Sequence, residues 1–321
     1  MKKLKFLLSL LLVFTLLLSA CTSAAAPTAA AVTPTTAAAT PTAASLTFTD
    51  GLNRTVILKS PAQRIVSLAP SVTEMLFAVG AGAQVVGRDS FSDYPASVTS
   101  LTDVGGSSGA YSYETITSLH PDLVIAAQIN TADQVKALEN LGLTVYYVSN
   151  PVDFSDLFNE MVTLGKLSGH ESTAQTAADA LNKRVQAVKV TIAKAASQPL
   201  VFYELDGTDP SKPWTIGPGS FMDQMITTAG GKNVGADLSS QWAQISVEDL
   251  LVKNPDLILL GDGNYGVNAD KVAARTGWDK LSAVQQKHIY TFDDDLVSRA
   301  GPRMVDGLET LAKLIHPELF K

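Results

Sequence analysis

Cysteine is nearly absent from this chain: Cys21 is the only one in 321 residues, which excludes a disulfide framework. Histidine is also scarce. His120, His170, His288 and His316 are scattered along the sequence with no ligand spacing, which argues against a metal centre built from imidazoles. No Gly-Lys-Ser/Thr phosphate loop occurs, and Gly80-Ala81-Gly82 follows a predicted helix instead of joining a strand to one, so it reads as a helix-ending turn. There is no basic run either. The formal net charge is -7, and losing Lys2, Lys3 and Lys5 with residues 1–20 takes it to -10, so nucleic acid is excluded as a partner and anionic lipid would repel the folded part. Charge of either sign is missing between Lys5 and Asp50.

What is present begins with Lys2, Lys3 and Lys5 before the apolar run Phe6 to Leu18, the layout of an export signal and too short for a comfortable membrane span. Leu18-Ser19-Ala20-Cys21 matches the lipobox of bacterial lipoproteins. The expectation is cleavage of residues 1–20 and a lipidated Cys21 that holds the chain on the outer face of the cell membrane. The alternative is an ordinary signal peptide with an incidental cysteine. Residues 21–45 are almost wholly Ala, Thr and Pro, which cannot bury a core and read as a disordered tether. The remainder, in a chain 46% apolar and 17% charged, is long enough for two cores.

Glu171 to Ser197 contains neither Gly nor Pro, and Pro199 stops it. Ala178, Leu181, Val185, Val188, Ile192 and Ala195 step by three and four, which predicts one long helix with a continuous apolar stripe. Such a helix spans roughly 40 Å and can brace two lobes. A motif repeats on either side of it. Ser112-x-Glu114 precedes Pro121-Asp122-Leu123-Val124-Ile125, and Ser246-x-Glu248 precedes Pro255-Asp256-Leu257-Ile258-Leu259. In both copies the Glu lies seven residues before the Pro.

Around this centre the pattern alternates strand and helix. Leu46 to Leu58 predicts a hairpin turning at Asp50-Gly51. Strands are predicted at 64–68, 85–86, 123–126 and 145–148, with helices at 71–79, 113–119, 132–141 and 154–167. The pattern then restarts, with strands at 200–203, 257–260 and 289–292 and helices at 220–228, 247–252 and 302–315. The expected fold is α/β: two Rossmann-like lobes with mainly parallel sheets, residues 46–168 and 199–321, joined by a rigid helix over 169–198, with a ligand cleft between the lobes beyond the strands' carboxyl ends.

Arg64-Ile65-Val66-Ser67-Leu68-Ala69-Pro70-Ser71-Val72-Thr73-Glu74, Phe91-Ser92-Asp93-Tyr94-Pro95, the two Glu-to-Pro-Asp-Leu motifs and Ser298-Arg299-Ala300-Gly301-Pro302-Arg303 resemble the substrate-binding proteins of ABC importers for cobalamin, haem and ferric siderophores. The likeness covers nearly everything from Leu46 onward and is strongest to the cobalamin-binding members. It implies a monomeric receptor that captures a corrinoid or iron chelate and delivers it to a permease dimer driven by a cytoplasmic ATPase. It implies no catalytic residue and no resident cofactor. Glu114 and Glu248 would dock on permease arginines; read from position alone, each acid simply complements its helix dipole.

For the cleft the candidates are Phe91, Tyr94, Trp214, Trp242 and Arg299, all in predicted loops. Flat ligands are held by aromatic faces and a few placed polar groups, although any one of these rings could equally be a half-buried packing residue. Trp214 and Trp242 match the family's pocket positions. Arg299 suits a ligand phosphate, amide or carboxylate oxygen, or a surface ion pair with Asp293, Asp294 or Asp295. The cobalamin pattern is broken at Gly105-Gly106-Ser107-Ser108 and at Ala127, where bulky aromatics are expected; Tyr111 and Tyr113 are the candidates to compensate. The ligand alternatives are therefore a different corrinoid, haem or a siderophore. Glu204, Asp206 and Asp209 form the one acidic group worth testing for hydrolysis or cation binding.

Overall fold

The computed structural model describes residues 45–106 and 110–320; the export signal, Cys21, the tether and Ser107-Ser108 lie outside them. The first strands, β1 (Leu46–Thr49) and β2 (Thr55–Leu58), pair antiparallel as the predicted hairpin. Asp50 shapes its turn by accepting the backbone N–H of Leu52 and of Arg54, both at 3.0 Å.

The first lobe continues with β3 (Ile65–Ser67), α1 (Pro70–Ala78), β4 (Val85–Arg88), β5 (Thr102–Asp103), α2 (Tyr113–Ser118), β6 (Leu123–Ala127), α3 (Ala132–Asn140), β7 (Val145–Val148) and α4 (Phe154–Ser168). Its five strands lie in the order β5-β4-β3-β6-β7 and every pairing is parallel. β6 and β7 are buried at every position, which is why they read as unbroken apolar runs. The hairpin fastens to the edge strand β7, where Asp50 accepts the Tyr147 N–H at 3.2 Å and the Gly51 N–H reaches the Tyr147 carbonyl at 2.8 Å.

The linking helix α5 (Glu171–Ile192) runs 22 residues, about 33 Å, and stops five residues short of the predicted end. Ala174, Ala178, Val185 and Val188 are buried, but most of 193–198 is exposed and the final turn tightens to bonds such as Lys194 N–H to Thr191 O at 3.1 Å. Without an apolar face to pack, propensity alone does not extend a helix. α4 and α5 cross closely at Gly165, where a Cβ would stand 2.3 Å from the Ala174 methyl. Arg184 pins α5 to the far end of the chain through Glu309 (2.9 Å) and Asp306 (2.5 Å).

The second lobe comprises β8 (Leu200–Glu204), β9 (Trp214–Ile216), α6 (Phe221–Thr228), β10 (Lys232–Asn233), β11 (Trp242–Gln244), α7 (Val247–Lys253), β12 (Leu257–Leu260), α8 (Ala269–Ala273), α9 (Ser282–Gln285), β13 (Ile289–Thr291), α10 (Asp295–Ser298) and α11 (Met304–Ile315). Its sheet is again parallel, in the order β10-β8-β12-β13. One difference bears on the site. Trp214 and Trp242 do not lie in loops: they sit on β9 and β11, an antiparallel ribbon that sequence reading did not foresee. One apolar core runs from β2 and α1 through α4 and α5 into β8, α6 and α11 and is shared by both lobes, while a separate cluster covers the other face of each sheet.

Candidate functional site

The duplicated motif builds the same device twice. Ser112 accepts the N–H of Thr115 at 3.2 Å to start α2, and Ser246 accepts the N–H of Asp249 at 3.0 Å to start α7. The acids that follow, Glu114 and Glu248, are exposed, and among the described residues neither makes an ion pair or a side-chain hydrogen bond. Next, Asp122 accepts the N–H groups of Gln63 and Arg64 at 2.8 and 3.0 Å, and Asp256 accepts that of Leu200 at 2.7 Å. The repeated Asp is thus a pin that starts the adjacent central strand, a role the sequence reading missed. A helix feeding a parallel strand begins at the carboxyl edge of its sheet, so both glutamates lie on the edge where open α/β sheets bind ligands.

That edge also carries exposed apolar side chains. Phe91 and Tyr94 are 54% and 49% exposed on the loop after β4, and Trp214 and Trp242 are each 39% exposed. The ribbon leaves the end of β8 directly, with the Leu205 N–H bonded to the Trp214 carbonyl at 2.9 Å. Its register sets Trp214 opposite Gln244 and Trp242 opposite Ile216, so the two indoles are diagonal neighbours on one face. Ile129, Val152 and Tyr265, which sequence reading did not single out, are exposed on the loops after β6, β7 and β12. Their signal was position alone: apolar residues just beyond a buried strand. Among the described residues no ring contact joins the tryptophans to Phe91 or Tyr94.

The loop of Phe91 and Tyr94 is held from beneath. Ser67, Thr73 and Ser92 form a buried hydroxyl chain with links of 2.8 and 2.7 Å, and Ser92 donates to Asp89. Asp89 also accepts the Phe91 N–H at 3.0 Å; burial pushes its carboxyl up, against the pull of these bonds.

Charge joins the lobes at the same place. Glu74 of α1 receives Arg303 at 2.6 and 3.0 Å, and the Arg303 guanidinium lies 4.4 Å from the centre of the Tyr94 ring. Burial raises the Glu74 carboxyl and Arg303 opposes that shift. Arg299 bonds Asp93 across the cleft and Asp295 in its own lobe at 3.0 Å. Of the ion-pair partners open to Arg299 on sequence, Asp295 is the one used; Asp93 and Glu74 were not foreseen, although both lie within the motifs quoted for the resemblance.

Two expectations are corrected. Tyr111 cannot supply a missing ligand aromatic, because it is buried and its hydroxyl donates to the Leu68 carbonyl at 2.8 Å while accepting from Asn130 at 2.7 Å; Tyr113 packs against the same core. Glu204, Asp206 and Asp209 do not converge. Glu204 is wholly buried and gripped by Arg275, while Asp206 and Asp209 fold back on the N–H groups of Thr208 and Ser211 in an exposed turn. Among the described residues no group of three or more His, Cys, Asp or Glu is arranged to hold a metal ion, and no helix is long and apolar enough to cross a membrane.

Comparison with known proteins agrees with this architecture. Residues 65–296 match the family model described as periplasmic binding protein. The chain is 35% identical over 282 residues to the Bacillus subtilis ABC transporter substrate-binding lipoprotein YvrC, covering 86% of this chain and 87% of that one. It is 31% identical to a Vibrio cholerae vitamin B12-binding protein, covering 78% and 87%. Among solved structures, the Vibrio cholerae vitamin B12-binding protein BtuF superposes with a TM-score of 0.69 at 27% identity, over 81% of this chain and 99% of that one. The heme-binding protein RhuT from Roseiflexus does so with 0.71 at 26%, over 81% and 99%. With two parallel-sheet lobes and a bare, aromatic-rich carboxyl edge, this chain belongs to the periplasmic binding protein family, among the ABC-importer substrate-binding proteins for cobalamin, haem and siderophores.

Proposed function

We propose that the protein captures a corrinoid between the facing carboxyl edges of its two sheets and hands it to a permease dimer driven by a cytoplasmic ATPase, while a lipid on Cys21 holds it at the outer face of the cell membrane. The observation that carries the reading is the half-exposed state of Phe91, Tyr94, Trp214 and Trp242 at those edges. Solvent-facing rings on both lobes are costly to leave bare and suit a flat macrocycle. Arg299 adds a polar grip at the junction. Support for a corrinoid over other chelates comes from relatives named for vitamin B12 and cobalamin.

Glu114 and Glu248, two unpaired carboxylates at equivalent helix starts, suit a partner with two-fold symmetry and arginines to offer. Such a role involves no covalent chemistry, in keeping with family members that are binding proteins for transport.

An iron chelate or haem is the second reading. Ala127 ends β6 and Tyr111 is buried, so the two first-lobe positions where corrinoid binders carry bulky rings have none, leaving Phe91 and Tyr94 as that lobe's exposed aromatics. The deciding experiment is calorimetric titration of the full chain with cyanocobalamin, dicyanocobinamide, haem and a ferric hydroxamate. Tight one-to-one binding of a corrinoid, lost in Trp242→Ala, is expected. Binding of only the iron compounds reassigns the ligand, and no binding at all removes the capture reading.

A further inference from the structure

Arg299 is contacted by three carboxylates, and they are not equivalent. Glu74 lies 3.7 Å away, has a side chain only 2% exposed and is already committed to Arg303, so it is a permanent tie whose loss would strand buried charge. Asp295 precedes Arg299 by one helical turn and moves with it. Asp93 belongs to the opposite lobe, and its side chain is 57% exposed. It takes both terminal nitrogens of the guanidinium, with Nη2 donating to Oδ2 at 3.3 Å. This two-pronged match is the one a ligand carboxylate or phosphate would make. Asp93 lies on the same loop as Phe91 and Tyr94, both half-exposed.

We infer that Asp93 is an internal stand-in for an oxygen-bearing group of the ligand, occupying the Arg299 fork in the free protein and yielding it to a carboxylate, phosphate or amide oxygen when the ligand enters. The inference rests on the capture reading above and adds to it a substrate feature: the ligand carries a peripheral oxygen acceptor. The pair is open to solvent on its Asp93 side, which keeps its net contribution to stability small, so a ligand oxygen can replace that carboxylate on the largely buried guanidinium, whereas the Glu74–Arg303 tie stays in place and keeps the lobes in register. Asp93 then sets specificity by exclusion. A flat apolar ligand without an acceptor leaves the ion pair standing and gains no contact with Arg299.

The test is titration calorimetry of the full chain, wild type and Asp93→Asn, against the four compounds named above. Removing the competing charge is expected to tighten binding about two- to fivefold, the equivalent of one ion pair open to solvent on one side. The gain is expected to vanish when Asp93→Asn is made in an Arg299→Gln background. A second readout is the carboxyl resonance of Asp93 followed against pH. Arg299 holds this carboxyl below its ordinary range in the free protein, and saturation with ligand should return it upward. Unchanged or weaker affinity in Asp93→Asn, or an Asp93 titration indifferent to ligand, overturns the exchange while leaving capture intact. Failure of the wild-type chain to bind any of the four overturns both.

Discussion

Glu160 gives the sharpest prediction about stability. It lies on α4 near Tyr146, and its Oε1 is buried without a partner among the described residues. It lines a cavity of about 410 Å³ with Met75, Val148, Asn150 and Ala300. Burial is the main cause of its shift, with the negative charge of Asp50 adding to it, and the carboxyl rises from 4.5 to about 7. Below pH 4.5 folded and unfolded chains are both protonated at this site, and it contributes nothing to pH dependence. Between 4.5 and 7 only the folded chain keeps the proton, so stability falls as pH rises; above 7 the folded state carries the full cost of an ionised buried carboxylate, about 3 kcal/mol. Glu160→Gln removes the ionisation at nearly constant shape. Urea unfolding at pH 4.5, 6, 7 and 8.5 should find the variant's advantage growing from near zero to about 3 kcal/mol. Glu74, Asp89, Glu204, Asp262 and Asp295 are also raised, chiefly by burial, so the difference between the two proteins is the quantity to follow. A difference that stays flat across this range refutes the reasoning.

Other consequences are open to measurement. Glu114→Ala combined with Glu248→Ala should abolish uptake in cells while leaving calorimetric affinity unchanged; lost affinity would move these acids into the cleft. Trp214→Ala and Trp242→Ala should each weaken ligand binding by about 2 kcal/mol, with a smaller loss of fold stability than a core substitution because each residue is 39% exposed. Asp122→Ala and Asp256→Ala should each cost about 0.5–1.5 kcal/mol in denaturant unfolding, the first through two lost backbone N–H bonds and the second through one, at solvent-exposed starts of central strands. Small-angle scattering with and without ligand should show only slight compaction, and a large one would contradict a brace as stiff as α5.

Elements defined by local pattern were legible in the sequence; elements defined by their partners were not. β6, β7, β8 and β12 are buried apolar runs, and the caps Ser112 and Ser246 announce their helices, so the α/β alternation and the duplicated motif could be read directly. The β9–β11 ribbon could not, because Trp214–Ile216 and Trp242–Gln244 are three-residue segments far apart in sequence that become strands only by pairing. The end of α5 failed for the related reason that Ala193 to Ser197 has good helical composition and nothing to pack against. At the site, the exposed aromatics were readable as residue types in the right motifs. The Asp93–Arg299 ion pair was not, since the two residues are 206 apart in sequence and only the docking of one lobe on the other makes them neighbours.

The two acids of each duplicated motif sit in different surroundings, and the proposed function draws on that difference. Asp122 and Asp256 work inward, each fixing where a central strand begins and hence where its carboxyl end stops. Glu114 and Glu248 face outward from helices whose starts are set by the same strand–helix unit. Because one apolar core crosses both lobes and Arg184 ties α5 to α11, the spacing between the two outward carboxylates is inherited from the scaffold. On the proposed docking reading, a partner that engages both acids at once meets them at a spacing the scaffold fixes, and a ligand that takes the Arg299 fork from Asp93 alters the lobe junction without changing that spacing. In such a receptor a small adjustment at the junction suffices to distinguish loaded from empty, and wide opening and closing of the lobes is not needed.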